Sequence, residues 1–392
     1  MEVNSLAITK LGLKNIGCYK SLLLQLDKKV NIICGANGVG KTTILEVIAA
    51  SFSGGLQNRV RRNAKTKEDA GWTIEINKNG TLNTGEFLCK NFLPTDSLYP
   101  AARDIYSAAQ HFIYIRADRQ IEYKALPALT PDIIHDISQC YSFAVGINNY
   151  DLKNWIIGRY LFSAQENGLD KVSRENWEFA KSCFSIVDSA VSFSRSSVDY
   201  DIYVNTRSGE IIMEYLSSGF KSIYYVLLGI IKEIELRRIG LARNFSGVIC
   251  IDEVDLHLHP TWQQSAMSIL TSAFPKAQFI VTTHSPHVIQ RAGPEQIIAL
   301  APDPEGWPKR RDFTVSEYGF QGWTVEEILT DVMGLPSANG PDYQKALDDF
   351  YEGIESENGE LVRSSLDVLS RMLKPTSELL QVLKIQASSF RD

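Results

Sequence analysis

One eight-residue segment constrains the fold of this 392-residue chain more than any other feature of its sequence. Residues 35–42, Gly-Ala-Asn-Gly-Val-Gly-Lys-Thr, fit the pattern G-x-x-x-x-G-K-[ST]. The apolar run 30–34 before them predicts a buried strand, and the helical spacing of 42–50 predicts a helix after them. Glycines let successive N–H groups point at phosphate oxygens, and the positive end of a helix adds to the attraction. The segment therefore predicts a nucleoside triphosphate site in an α/β fold.

The side chains of this loop suggest individual roles. Lys41 would neutralise charge on the β- and γ-phosphates, and the Thr42 hydroxyl would ligate Mg²⁺. We therefore expect ATP and Mg²⁺ as ligands. The expected nucleotide-binding residues of the loop are Asn37, Gly38, Gly40, Lys41, Thr42 and Thr43.

Two later apolar runs also end in polar side chains. Residues 247–251 lead directly into Asp252 and Glu253. Buried carboxylates are costly unless they meet a cation or donors, so Asp252 suits Mg²⁺ coordination and Glu253 suits polarising the attacking water. The alternative is a strand that ends at the surface with solvated acids. Gln278–Thr282 predicts a second strand, and His284 beyond it could hydrogen-bond the γ-phosphate, although a lone histidine is more often structural.

The segment 216–221, Leu-Ser-Ser-Gly-Phe-Lys, opens an apolar stripe with helical spacing that continues to Ile234. Ser217 and Gly219 at a helix start make an anion-binding end with an extra hydroxyl donor. Because the chain's own loop already serves one triphosphate, this end is expected to cap the γ-phosphate held by another copy. The alternative is a plain serine N-cap.

Taken in their order along the chain, these motifs resemble the ABC-type ATPases of the SMC/RecF/OLD superfamily. Residues 35–42 match Walker A, residues 216–220 match the signature in a Leu-Ser-Ser-Gly form, and residues 252–253 match Walker B with its catalytic glutamate. Asp255 lies where the D-loop follows. Phe220 departs from the signature of transporters, which commonly have Gln there.

The resemblance implies a role for each site residue. The catalytic residues would be Glu253, His284 and Lys41. The metal ligands would be Thr42, Asp252 and a Q-loop residue, for which Gln120 is the best candidate and Asp118 or Arg119 are alternatives.

A narrower resemblance is to the compact ATPases of bacterial anti-phage systems, with the Septu type nearest. It rests on Glu-Val-Asp-Leu-His-Leu-His-Pro at 253–260 and Thr-His-Ser-Pro-His at 283–287. It implies an ATP-sandwich homodimer or higher oligomer that regulates a separate nuclease effector, such as an HNH protein. The residues after His284 contain no Asp-x-Asp of the Toprim type, so we expect no nuclease activity in this chain.

These motifs predict an α/β fold: a P-loop ABC-type ATPase head with a mixed N-terminal sheet, a parallel core sheet, a helical lobe and a helical C-terminal extension. A length of 392 residues favours two or three domains. We predict an N-terminal nucleotide-binding lobe at 1–125, a helical insert lobe at 126–215 and a C-terminal nucleotide-binding lobe at 216–305. The region 306–392 is expected to be largely helical and to contact a partner or another copy.

Charge and hydropathy bear on the alternative functions. A net charge of −6 argues against wholesale coating of nucleic acid. Two local basic clusters, at 59–67 and 309–311, would contact DNA if the chain were a RecF- or SMC-like repair or surveillance ATPase; otherwise they are solvated loops. No apolar stretch approaches the roughly 20 residues that cross a bilayer. We expect a cytoplasmic protein without membrane contact.

Overall fold

The fold is known from a computed structural model. Contacts within the chain divide it into two units, Met1–Gly334 and Leu335–Asp392. The residues that the structure describes are 5–53, 59–66, 68–90, 92–93, 103–119, 123, 125–135, 149–335 and 340–390.

The strands form three sheets. In chain order they are β1 (Leu6–Ile16), β2 (Tyr19–Gln25), β3 (Val30–Gly35), β4 (Gly71–Lys78), β5 (Thr81–Leu88), β6 (Phe112–Ile115), β7 (Ser192–Ser196), β8 (Ile202–Thr206), β9 (Gly209–Ile212), β10 (Val248–Ile251), β11 (Gln278–Thr282), β12 (Ile297–Pro302) and β13 (Pro308–Arg310).

Helices follow most of the core strands and build the C-terminal unit. They are α1 (Lys41–Phe52), α2 (Arg103–Tyr106), α3 (Asn149–Ser163), α4 (Lys171–Val187), α5 (Ser218–Leu236), α6 (Pro260–Ala273), α7 (Pro286–Gln290), α8 (Val325–Glu327), α9 (Pro341–Glu355), α10 (Gly359–Met372) and α11 (Glu378–Gln386). Among the described residues, none of the helices is long and apolar enough to cross a membrane.

The first sheet, in the order β2-β1-β4-β5, is antiparallel at each of its pairings. Leu11 pairs with Leu24 on one side and with Ile74 on the other, and all three are fully buried. Short connections between consecutive strands favour antiparallel pairing. The mixed pairing expected for this sheet occurs instead in the core sheet.

The core sheet has the order β13-β12-β3-β11-β10-β6, and all neighbours except β12 and β13 are parallel. Every residue of β3 is buried, as are all residues of β6, β10 and β11. Continuous apolar runs of this kind are typical of parallel strands covered on both faces. The predicted α/β head with a parallel core sheet is therefore confirmed. The motifs follow the carboxyl ends of its strands and so lie at one edge of this sheet.

The insert lobe predicted at 126–215 lies between β6 and β10 along the chain. It contains α3 and α4, but also the antiparallel sheet β7-β8-β9. Trp155 and Phe193 both pack edge-on against Trp177, which joins the helices to the sheet. These strands were not predicted from the sequence because they are short and partly exposed. The sequence of β7, for example, is Ser-Phe-Ser-Arg-Ser. The predicted helical lobe thus has a β component.

The chain beyond residue 305 is largely helical in its described part, as expected, but it begins with a strand. Pro308–Arg310 forms a strand that pairs with the end of β12. The larger unit continues to Gly334, and the three helices α9, α10 and α11 form the smaller unit around Phe350, Val362 and Leu369. The boundaries expected after residues 125 and 215 fall inside the larger unit.

Candidate nucleotide-binding site

The phosphate loop joins β3 to α1 and needs its glycines for steric reasons. A Cβ on Gly35, which has a φ of 143°, would lie 2.3 Å from the Leu300 carbonyl oxygen. A Cβ on Gly40, at a φ of 94°, would lie 2.5 Å from the Cys18 sulfur. Only glycine tolerates both the close approach and the positive φ. The loop is thereby held close against its neighbours.

Lys41 is the first residue of α1 and is only 5% exposed. Its Nζ donates to the carbonyl oxygens of Gly35 and Ala36, both at 2.9 Å. Burial lowers the pKa of Lys41, and the nearby thiol and carboxylates oppose that shift. The ammonium group therefore lies inside the loop, where phosphate oxygens would be better partners than neutral carbonyls.

Thr42 and Asp252 meet although they are 210 positions apart. The Thr42 hydroxyl lies 3.1 Å from both carboxylate oxygens of Asp252. Asp252 also accepts a 2.6 Å hydrogen bond from Thr282. Hydroxyl and carboxylate oxygens are the ligands that Mg²⁺ prefers, so this pair fits the ion.

Glu253 follows Asp252 in an unusual backbone conformation. Its φ is 49°, which is uncommon for a residue with a side chain, and its N–H donates to the Thr282 hydroxyl at 2.7 Å. No hydrogen bond or ion pair engages the Glu253 carboxylate among the residues that the structure describes. The residue as a whole is half-buried.

The segment that follows β11 is hydrogen-bonded to Asp255, the residue at the D-loop position. Asp255 accepts a 2.6 Å hydrogen bond from the Thr283 hydroxyl and a 3.3 Å bond from the His284 N–H. Burial lowers the pKa of His284, and the positive charge of Lys41 lowers it further. His284 is thus brought into the cluster as a neutral imidazole at neutral pH.

The signature segment lies at the start of α5. Ser217 precedes α5 and is exposed, and its side chain makes no capping hydrogen bond to the helix. A Cβ on Gly219 would be 3.4 Å from the His257 carbonyl oxygen, so this glycine packs closely on the D-loop segment. In the described part of the chain, neither residue is hydrogen-bonded to the phosphate loop.

The remaining predicted residues differ in how far the structure defines them. Asn37 and Gly38 are exposed on the loop. Thr43 lies against the turn between β1 and β2, where a Cβ on Gly17 would be 3.0 Å from its methyl group. Gln120 lies outside the described residues. Its neighbour Arg119 is described and contacts the Walker B segment.

Sequence reasoning missed Thr282. Its hydroxyl donates to Asp252 and accepts from the Glu253 N–H, so it fixes both acids at once. The available signal was its place as the last residue of an apolar strand that enters the site. A threonine there satisfies buried polar groups that valine would leave unpaired.

Two family profiles match parts of the chain. One, described as "AAA domain", matches residues 10–90, which include the phosphate loop. The other, described as "AAA domain, putative AbiEii toxin, Type IV TA system", matches residues 142–290. This second range contains the signature segment, the Walker B acids and His284.

Individual proteins cover more of the chain. The Retron Ec83 probable ATPase of Escherichia coli is 29% identical over 47% of this chain and 34% of its own length. The solved SMC head domain from Thermotoga maritima aligns at 16% identity and a TM-score of 0.47, over 79% of this chain and 99% of that one. The Septu protein PtuA of Bacillus thuringiensis is 40% identical over 98% of this chain and 98% of its own length. The resemblance drawn from the motifs is thereby confirmed, and the chain belongs to the family of the Septu protein PtuA.

Proposed function

We propose that this chain binds ATP with Mg²⁺ and hydrolyses it to ADP and phosphate. The observation that carries the proposal is the meeting of Thr42 with Asp252 at 3.1 Å, beside a buried Lys41 and an unengaged Glu253. Four residues from two distant motifs share one sheet edge, and each has the chemistry that phosphoryl transfer to water requires.

The residues would act as follows. Lys41 would exchange its two carbonyl partners for phosphate oxygens, and Thr42 with Asp252 would hold Mg²⁺. The bound ion supplies charge neutralisation on the phosphates. Glu253 would take a proton from the attacking water, and neutral His284 would donate a hydrogen bond to a γ-phosphate oxygen.

The proposal includes a composite site shared by two copies of the chain. Ser217 is exposed and leaves the first N–H groups of the 19-residue helix α5 uncapped. Such a helix end attracts an anion. Ser217 and Gly219 of one copy would contact the γ-phosphate bound in the loop of the other, so that an ATP-sandwich homodimer or higher oligomer forms with nucleotide.

A role follows from family membership. We propose that the nucleotide state of this assembly regulates a nuclease effector, such as an HNH protein, in cytoplasmic anti-phage defence. The support is the relationship to a Septu protein and to a retron ATPase. The purified chain alone should leave DNA intact in the presence of Mg²⁺, and cleavage that co-purifies with it but is missing from a mock preparation would refute this part.

The hydrolysis is tested with Glu253→Gln. This variant should bind ATP, lose about 100-fold or more of the turnover, and accumulate a nucleotide-dependent dimer, because the amide cannot take the proton. Glu86→Gln, at an exposed position of β5, is the matched control. Turnover of Glu253→Gln at the wild-type rate would contradict the assignment.

A second candidate function, DNA engagement, has one observation in its favour. The Lys65 Nζ lies 5.2 Å from the centre of the Trp307 ring, so the basic cluster at 59–67 and the segment leading to 309–311 are neighbours. Two of these charges already have a partner, since Lys309 pairs with Asp303 at 2.7 Å and Arg59 with Glu46 at 4.0 Å. A salt-dependent affinity for duplex DNA that charge reversal at Arg61 and Arg62 abolishes would favour this function.

A further inference from the structure

One buried arginine is not accounted for by the proposed roles. Arg119 follows β6 at the carboxyl edge of the core sheet and is 6% exposed. Because β6 and β10 are parallel neighbours, with Ile115 opposite Ile251, the segments that follow them leave the sheet side by side. Arg119 thus lies next to the Walker B acids.

Among the residues that the structure describes, the guanidinium group of Arg119 is hydrogen-bonded to main-chain atoms alone. Its Nη2 donates to the carbonyl oxygen of Asp252 at 3.2 Å and to that of Glu253 at 2.5 Å. These carbonyls lie where the chain departs from β10 and Glu253 takes a φ of 49°. Two hydrogen bonds from this one nitrogen to consecutive carbonyls restrict that backbone and therefore the direction of the Glu253 side chain.

The rest of the guanidinium is poorly satisfied. The Nε and Nη1 atoms of Arg119 are buried without a hydrogen-bond partner, and no carboxylate pairs with the group among the described residues. A buried cation in this state lowers stability rather than raising it. The residue is therefore poorly explained as a stabilising element of the fold.

We infer that Arg119 is a positioning residue for hydrolysis, which holds the Walker B turn so that the Glu253 carboxylate faces the attacking water. The inference rests on the proposed ATP hydrolysis. Without the two hydrogen bonds, the positive φ of Glu253 keeps its restraint at the Thr282 hydroxyl but loses the one at its carbonyl side, and the turn relaxes toward ordinary backbone conformations. Misplacing a catalytic group by about 1 Å costs on the order of 100-fold in rate.

The test compares Arg119→Met, which keeps length but removes the donors, with Arg119→Lys, which keeps a donor and the charge. We expect turnover to fall about 10- to 100-fold in the methionine variant and to recover in part in the lysine variant. Affinity for ATP should stay within about twofold of wild type, because Arg119 acts through Glu253. Arg243→Met, at an exposed arginine stacked over Phe179, is the control.

A second measurement needs no nucleotide. Hydrogen exchange of the main-chain amides at 252–257 should be faster in nucleotide-free Arg119→Met than in wild type, and unchanged in Arg243→Met.

A third measurement uses ATP. In a Glu253→Gln background, Arg119→Met should add little to the loss of single-turnover rate. Arg119→Lys supplies the exchange comparison if the methionine variant does not fold.

Wild-type turnover or wild-type exchange in the folded Arg119→Met variant would overturn the inference. A loss of ATP affinity at unchanged turnover would also overturn it, since that result belongs to a ligand-binding residue. If the wild-type protein itself does not hydrolyse ATP, the proposed function fails, while the exchange measurement still decides whether Arg119 holds the turn.

Discussion

Two regions of the larger unit bury positive charge in opposite ways. In the lobe, Arg159 pairs with Asp132 at 2.7 Å and with Glu235, and Lys153 pairs with Asp201 at 3.1 Å. At the nucleotide site, Lys41 and Arg119 are equally buried but contact only main-chain carbonyls among the described residues. These cations of the lobe are matched by carboxylates of the lobe and of helix α5. The site leaves both cations without a matching anion there. For Lys41, inside the phosphate loop, this suits the binding of phosphate, whereas Arg119 is directed at the Walker B backbone.

The carboxylates show the same contrast. Burial would raise the pKa of Glu233, but Lys232, His135 and Arg237 around it hold that pKa well below its ordinary value. Glu46 lies one helical turn after Thr42, and burial raises its pKa to about 7. Arg59 opposes this rise only in part, because it is 4.0 Å away and half-exposed. In and beside the lobe, buried charges are paired with opposite charges, and this pairing stabilises the fold. At the site, buried charges are not compensated in this way.

The largest expected effect tests the lobe. Arg159→Met removes the cation beside Glu235, which also accepts a 3.0 Å hydrogen bond from Trp155. An isolated buried carboxylate should lower the free energy of unfolding by about 3–5 kcal/mol. Urea denaturation measures this, and Arg159→Met combined with Glu235→Leu should recover much of the loss. A single variant as stable as wild type would show that the pair carries no compensation.

A smaller effect is expected for Glu46. Its folded-state pKa of about 7 exceeds an unfolded value of about 4.3, so the native state binds more protons between these values. Its contribution to stability is therefore fully present below about pH 4.3 and is lost as the pH rises through about 7. Glu46→Gln removes this loss and should raise the free energy of unfolding by about 1–2 kcal/mol at pH 8, with little change at pH 4.5.

The matched variant at Glu233, on α5 beside the lobe, should behave in the opposite sense. The pKa of Glu233 is depressed, so its stabilisation is present above the unfolded value and is lost as the pH falls. Glu233→Gln should therefore destabilise the protein at pH 7 and 8. The free energy of unfolding of Glu46→Gln and of Glu233→Gln, measured from pH 4.5 to pH 8, checks both predictions. Parallel curves would remove the contrast between the two regions.

The smallest expected effect on stability is at Lys41. Since no carboxylate pairs with its ammonium group in the described part of the chain, Lys41→Met should change the free energy of unfolding of the nucleotide-free protein by less than about 1 kcal/mol. The same variant should lose the thermal stabilisation that ATP gives to wild type. A large loss of stability without nucleotide would mean that the lysine is structural, as Arg159 is.

Local pattern was sufficient for much of the fold and of the candidate site. The loop at 35–42 and the acids at 252–253 were recognisable because glycine freedom, apolar strand runs and terminal carboxylates are all readable within a few neighbouring residues. The parallel core sheet followed from the alternation of such strands with helices. The β7-β8-β9 sheet and β13 did not follow, because short, half-exposed strands depend on their neighbours more than on their own composition.

By itself, the sequence identified the residues proposed for phosphate binding and hydrolysis, and the order in which they occur. Only the tertiary structure decided that Thr282 bridges the two acids, that Arg119 holds their carbonyls and that Lys65 lies over Trp307. Chemistry belongs to a side chain and can be read from its identity. A contact between residues far apart in the chain depends on how the parallel strands are ordered in the sheet, and that order is set by packing across the whole core.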